Sequence, residues 1–195
     1  MTDPLVPVAS PASALVEPFG VWMDPLEALT GFRGMAHPVL LHSGLQGHPA
    51  SRFSILSADP ILVAALGGGK ATLTWSEAAE PREESRRLRD PFDFLRALAP
   101  AGSVRRCTEG LPFLGGAIGY LGYGLRRSIE RLPASPPDPL GQPQAWFGLY
   151  DGAVIFDHLE RRAVLVATGI CRRDGAPREN VIATGDTTET VNLHG

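Results

Sequence analysis

The chain has 195 residues, of which 44% are hydrophobic, so it is long enough to form one domain with a sizeable core. Its formal net charge is −3 at pH 7 and its 18 Lys and Arg residues are scattered, which argues against a nucleic acid partner. No apolar run approaches the roughly 20 residues of a membrane span, and residues 1–20 carry no secretion signal. We therefore predict a cytoplasmic protein with no membrane partner.

The first third of the chain predicts one short helix followed by strands. Residues 1–20 are rich in Pro, Ala and Ser and predict an extended segment. A helix is predicted next, because Asp24 can cap it, Pro25 suits its first turn and Gly31 can end it. Apolar and β-branched runs between Gly, Pro and Asp breaks predict strands at residues 38–43, 52–57, 61–66 and 70–75.

The middle of the chain predicts a charged connector and a second helix. The segment SEAAEPREESRRLR, residues 76–89, is interpreted as a solvated surface loop or helix. The second helix is predicted to begin after Asp90 and to end before Pro100. We expect it to cover a sheet with one apolar face, formed by Phe94, Leu95 and Leu98.

The last apolar runs predict three strands in a meander. They are residues 145–151, 153–158 and 163–169, with LERR turning the last pair. From residue 171 the sequence loses its periodicity, and we expect this tail to be loosely structured. Adjacent strands with only two helices between them indicate an α+β fold, with largely antiparallel sheets and packed helices.

Several patterns that suggest catalysis fail on spacing. The glycines at 115, 116, 119, 122 and 124 do not follow a phosphate-binding order, and we assign them to close backbone packing. A hydrolase triad of Ser43, Asp157 and His158 lacks the G-x-S-x-G turn that exposes a nucleophile. His42, His48 and His158 stand at strand ends or turns, where a structural, hydrogen-bonded role is the commoner one.

The cysteines and the other potential ligands predict no metal site. Cys107 and Cys171 lie far apart and show no zinc or disulfide spacing, so we expect two reduced thiols. The His, Asp and Glu residues form no recognisable ligand pattern either.

One segment keeps two interpretations open. In LLHSGLQGHPASRFSILSADPI, residues 40–61, a candidate site combines hydroxyls, a guanidinium and an aromatic ring. Such a set suits a small amphipathic molecule with a carboxylate. The alternative is a hairpin whose polar groups satisfy each other, and residue types alone do not separate the two. The candidate residues are Ser43, Ser51, Arg52 and Phe53.

Three segments in order resemble the N-terminal domain of the chorismate-using synthases, of the anthranilate synthase component I family. They are residues 40–61, 111–133 (LPFLGGAIGYLGYGLRRSIERLP) and 147–158 (FGLYDGAVIFDH). The resemblance covers about residues 20 to 168. The aminodeoxychorismate synthase component I branch, also called para-aminobenzoate synthase component I, fits better, because anthranilate synthases usually carry an acidic residue at the position of His42. Gly124 departs from the family, in which Asp usually follows the preceding Gly-Tyr.

The resemblance implies a domain at residues 21–170, between the Pro-rich segment 1–20 and the tail 171–195. In the family this domain holds a tryptophan molecule, and the four candidate residues match that pocket, whereas Ala50 stands where a larger side chain can occur. No catalytic residue is implied here. The family's catalytic C-terminal domain binds chorismate with Mg²⁺, and its motifs do not begin after residue 171. We therefore expect a fragment or truncated form that contains no cofactor and is inactive alone.

The resemblance also implies a role for the intact enzyme. Ammonia from a glutamine amidotransferase subunit would replace the C4 hydroxyl of chorismate, giving 4-amino-4-deoxychorismate for para-aminobenzoate and folate biosynthesis. Two alternatives remain. One is the equivalent domain of anthranilate synthase component I, in tryptophan biosynthesis, and the other is a stand-alone tryptophan-binding or partner-docking module.

Overall fold

The computed structural model describes residues 15–45, 47–76, 81–98, 110–133, 138–168, 180–184 and 187–191. The helices in this part of the chain are α1 Pro25–Gly31 and α2 Pro91–Leu98, with short 3-10 helices at Pro49–Ser51 and Tyr123–Ser128. The strands are β1 Leu15–Pro18, β2 Val39–Leu41, β3 Phe53–Ser57, β4 Leu62–Gly67, β5 Lys70–Trp75, β6 Arg82–Arg87, β7 Gly116–Leu121, β8 Ala145–Tyr150, β9 Gly152–Asp157, β10 Arg162–Ala167, β11 Asn180–Thr184 and β12 Thr187–Val191.

The first sheet has the order β1-β10-β9-β3-β2, with every neighbouring pair antiparallel. Alternate side chains of its central strands face two separate apolar clusters. Leu56 and Phe156 pack with Phe32, just after α1, on one face, and Ile155 packs with Phe113 on the other. Because both faces are covered, β9 is apolar and buried from Ala153 to Phe156.

The second sheet has the order β6-β5-β4-β8-β7 and is also antiparallel throughout. Helix α2 covers it, as the sequence predicts, because Phe94 and Leu98 pack with Leu66, Leu73 and other buried residues of the sheet. The α+β fold class with largely antiparallel sheets is confirmed. No helix of the described residues has the length and apolarity needed to cross a membrane.

The prediction of a loop or helix at the charged segment 76–89 is wrong. Residues 82–87 form β6, which pairs with β5 along its whole length. β6 has a neighbour on one side only, so its charged side chains remain solvated while its backbone bonds to the sheet. Pairing with β5 therefore makes this charged segment an edge strand.

The predicted meander at residues 145–169 is half right. β9 and β10 form the expected hairpin, but β8 belongs to the second sheet, where it pairs with β4 and β7. The chain changes sheets at Asp151, which is buried. The carbonyl of Asp151 accepts hydrogen bonds from the backbone N–H and hydroxyl of Thr168, at 2.7 and 2.9 Å. This corner separates strands that are adjacent in sequence.

Other local predictions are confirmed. Asp24 caps α1 by accepting a 2.8 Å hydrogen bond from the backbone N–H of Leu26. At Gly119 an added Cβ would overlap the carbonyl oxygen of Trp146, so this glycine does permit close backbone packing.

The ends of the chain give a mixed result. Residues 15–18 of the predicted extended segment form β1, whereas residues 1–14 lie outside the described residues. In the tail, β11 and β12 form a separate antiparallel hairpin that the sequence analysis did not predict. Cys107 and Cys171 also lie outside the described residues. The division into a domain at 21–170 with flanking segments stays a prediction.

Candidate functional site

The candidate site lies where β2 ends, β3 begins and β9 turns into β10. A 3-10 turn, Pro49–Ser51, leads into β3, and His48 caps it by accepting a 3.1 Å hydrogen bond from the backbone N–H of Ala50. The ladder between β3 and β9 is extended by a 2.8 Å hydrogen bond from the backbone N–H of His158 to the carbonyl of Arg52. Residues 52 and 158 are thereby held side by side although they are distant in sequence.

Ser54 is the centre of a buried polar cluster on one face of the first sheet. Its side chain is fully buried. Its Oγ lies 3.0 Å from the backbone N of Ser43, 3.2 Å from Nδ1 of His42 and 2.8 Å from Nε2 of His158. The ring of Trp22 packs edge-on against the ring of His158, with 5.6 Å between centroids. This cluster ties the end of β2 to β3 and to the β9–β10 turn.

An ion pair occupies the same strand ends. Arg52 Nη2 donates to Oδ2 of Asp157 at 2.8 Å, and its Nε donates to both carboxylate oxygens at 3.1 and 3.2 Å. Oδ1 of Asp157 also accepts from the backbone N–H groups of Leu159 and Glu160, which fixes the β9–β10 turn. The Arg52 guanidinium lies 4.8 Å from the ring centroid of Phe53.

The ion pair shifts the pKa values of both Asp157 and Arg52. Burial of the Asp157 carboxyl acts to raise its pKa, but the hydrogen bonds from Arg52 and from the turn outweigh burial, and the pKa lies below its ordinary value. The hydrogen bond to Asp157 raises the pKa of Arg52 above its ordinary value. Both groups are therefore charged at neutral pH.

The structure brings two of the four predicted residues together and gives the other two separate partners. Arg52 and Phe53 lie together beside Asp157, and Phe53 packs on the face of Ile155. Ser43 is bonded through its backbone to Ser54, which lies on the opposite face, and Ser51 donates its backbone N–H to His48. Their role in ligand binding stays a prediction.

The residues considered as a hydrolase triad have other partners in the structure. His158 bonds to Ser54 rather than to Ser43, and the carboxylate of Asp157 is engaged by Arg52. Sequence reasoning missed Ser54 as the centre of the cluster. The available signal was its position in a strand otherwise apolar on that face, since a buried hydroxyl there requires partners.

The described residues offer no set of three or more His, Cys, Asp or Glu side chains that could hold a metal ion.

Comparison with known proteins identifies relatives. No family model matches the chain. It is 35% identical over 130 residues to aminodeoxychorismate synthase component 1 of Escherichia coli (strain K12). The aligned region covers 66% of this chain and 28% of that protein. It is 37% identical over 119 residues to anthranilate synthase component 1 of Thermus thermophilus, covering 61% and 24%.

A solved structure is also similar, the crystal structure of anthranilate synthase component I from Streptococcus pneumoniae TIGR4. It has 28% sequence identity, a TM-score of 0.45, and coverage of 75% of this chain and 30% of that one. The chain thus spans less than a third of the length of these relatives. Over the length that it shares with them, the chain is homologous to aminodeoxychorismate synthase component 1 and to anthranilate synthase component 1.

Proposed function

We propose that this chain is the N-terminal, non-catalytic domain of an aminodeoxychorismate synthase component I. The observation that carries the proposal is the 35% identity over 130 residues to the E. coli protein of that name. The intact enzyme would convert chorismate and ammonia to 4-amino-4-deoxychorismate, the precursor of para-aminobenzoate and folate. His42, which stands where anthranilate synthases usually have an acidic residue, supports this branch.

The proposal gives the described residues a binding role rather than a catalytic one. The chorismate site and Mg²⁺ would belong to the catalytic domain of the intact enzyme, and no step of the reaction is assigned to a metal held by this chain. Both relatives are named component 1 of their synthases. The proposed partner is accordingly a glutamine amidotransferase subunit, component II, which would deliver ammonia in the cytoplasm.

The proposed ligand of the candidate site is L-tryptophan. Arg52 and Phe53 present a guanidinium beside an aromatic ring, which suits the carboxylate and the indole of one ligand. Asp157 holds the guanidinium in place through Nε and Nη2, and the remaining N–H groups of an arginine can serve a second carboxylate. The Arg52 side chain is 41% exposed, so a ligand can reach it.

Calorimetric titration with L-tryptophan tests the ligand. We expect heat of binding in the wild type and its loss in Arg52→Ala. Arg82→Ala is a matched control, because Arg82 also stacks on an aromatic ring, that of Trp75, in the other sheet. Absence of heat in the wild type, or equal loss in both variants, contradicts the assignment of the site.

Deletion of the gene in its native host tests the function. The proposal predicts that growth then requires para-aminobenzoate and that tryptophan does not replace it. The second candidate, anthranilate synthase component I, rests on the 37% identity to the T. thermophilus protein and predicts the reverse requirement. A strain that requires neither compound would instead support the stand-alone binding module.

A further inference from the structure

Three neighbouring groups can donate a hydrogen bond to the Ser54 hydroxyl, which can accept only two. A serine hydroxyl has one proton to donate and two lone pairs that accept. The backbone N–H of Ser43, 3.0 Å from Oγ, uses one lone pair. One lone pair and the hydroxyl proton remain for the two imidazoles, Nδ1 of His42 at 3.2 Å and Nε2 of His158 at 2.8 Å. One imidazole must therefore donate an N–H to Ser54 while the other accepts its hydroxyl proton.

Protonation of both imidazoles breaks this arrangement. Both rings would then present an N–H to Oγ, so that three donors would compete for two lone pairs, and the hydroxyl proton would lose its acceptor. Two positive charges would also face each other with 6.2 Å between ring centroids. The most exposed connection of the cluster is the one to the end of β2, where His42 is exposed and Ser43 half-buried.

We propose that His42, Ser54 and His158 form a proton-operated latch. With no more than one imidazole protonated, the latch holds Ser43, at the end of β2, against β3. With both protonated, it releases Ser43. Histidine side chains in general change their charge between about pH 5 and 8, so pH 8 and pH 5 are the conditions to compare.

In the part of the chain that the structure describes, the charged groups nearest the cluster belong to one ion pair and to the β9–β10 turn. Asp157 precedes His158, but its carboxylate accepts from Arg52 and from the backbone of the β9–β10 turn, and Arg162 lies 4.0 Å from its Oδ2. From the turn itself, the guanidinium of Arg161 lies 5.5 Å from the centroid of Trp22, whose ring packs against His158. Glu160, in the same turn, acts electrostatically on Arg52 of this ion pair, and Arg161 adds positive charge.

The latch rests on the geometry of the cluster, and only its consequence for ligand binding rests on the proposed function. Ser43 is one of the residues predicted to line the tryptophan site. Release of Ser43 at low pH would therefore weaken binding at that site. Failure of tryptophan to bind at any pH would contradict the proposed ligand of the site and leave the latch standing.

The distribution of protons at neutral pH is the first test. Nitrogen-15 NMR of the imidazoles at about pH 8 should find a proton on one of the two ring nitrogens that face Ser54 and none on the other. Protons on both of these nitrogens in the folded protein would overturn the proposal.

Hydrogen exchange at the Ser43 amide is the second test. After correction for intrinsic exchange, its protection should fall at least about fivefold from pH 8 to pH 5, as loss of one hydrogen bond predicts. Amides in the centre of β9, such as that of Ile155, should stay protected and show that the loss is local. Unchanged protection at Ser43 would overturn the proposal.

Variants separate the latch from general acid effects. The double variant His42→Gln and His158→Gln keeps polar side chains without titration and should abolish the fall in protection at Ser43. His158→Gln alone, which leaves one imidazole, should abolish it too and serves if the double variant does not fold. His48→Gln, in the same connection but outside the cluster, should behave as the wild type. A fall of wild-type size in His158→Gln would contradict the latch.

Discussion

Replacing Ser54 with alanine removes the hydroxyl on which the strand ends converge. Its three hydrogen-bonding neighbours differ in burial: His42 is exposed and can bond to water, whereas Ser43 and His158 are half-buried. Only the hydrogen bonds to Ser43 and His158 should therefore contribute fully to the loss of unfolding free energy. A net hydrogen bond contributes about 1 kcal/mol and an unsatisfied buried partner adds to the loss, so we expect Ser54→Ala to cost about 2–3 kcal/mol of unfolding free energy.

Ser57 in the same strand provides the matched comparison. It is buried like Ser54, but its hydroxyl donates a single hydrogen bond, to the carbonyl of Gly152 at 2.6 Å. Ser57→Ala should therefore cost about 1 kcal/mol. Urea denaturation at pH 7 measures both variants, with the slope of the transition as a check that the denatured state is unchanged. A cost for Ser54→Ala no larger than that for Ser57→Ala would refute the central position of Ser54.

Three further variants test other parts of the structure. The pKa of Asp157 lies below its ordinary value in the fold, so its contribution to stability is present above about pH 4 and is lost as the pH falls through the folded-state pKa. Denaturation curves from pH 7 to 2 should show a smaller acid loss in Asp157→Asn, and equal losses would contradict the ion pair. Burial, followed by the charge of Asp59, raises the pKa of Tyr150 to about 12. This contribution to stability is complete below about pH 10 and is lost as the pH rises towards 12. Tyr150→Phe should cost about 1 kcal/mol at pH 7, because the carbonyl of His37 loses its donor, and should lose less stability than the wild type in alkali. Gly119→Ala should cost about 1–3 kcal/mol through overlap with the adjacent strand, whereas Gly34→Ala, where the space is open, should change thermal stability far less.

The sequence predicts local structure well where local chemistry decides it. α1 forms where Asp24 and Pro25 predict its start, and α2 buries the apolar face that its spacing indicates. The charged segment at 82–87 was misassigned because charge suits both a surface helix and an edge strand, and pairing with β5 decides between them. Strand pairing is a property of the whole fold, which explains why β8 and β9 lie in different sheets although they are adjacent in the chain.

The candidate site was predictable in composition and not in connectivity. Arg52 and Phe53 stand out in the sequence, and the structure does bring a charged and an aromatic group together there. Their partner Asp157 and the neighbouring His158 are about a hundred positions away, and only the β3–β9 pairing places them at the same strand ends. The polar groups of Ser43, Ser51 and Arg52 thus bond to Ser54, His48 and Asp157 rather than to each other, and tryptophan binding at this place stays a prediction.

The product formed from chorismate tests the proposed function most directly. The intact enzyme that contains this domain would be purified from its native cell and incubated with chorismate, Mg²⁺ and ammonium, beside the 195-residue chain alone, and the products identified by mass spectrometry against a control without protein. The account predicts 4-amino-4-deoxychorismate from the intact enzyme and none from the chain alone. Anthranilate from the intact enzyme would support the anthranilate synthase branch. Formation of 4-amino-4-deoxychorismate by the chain alone, or no amino-containing product from the folded intact enzyme, would contradict the proposed function.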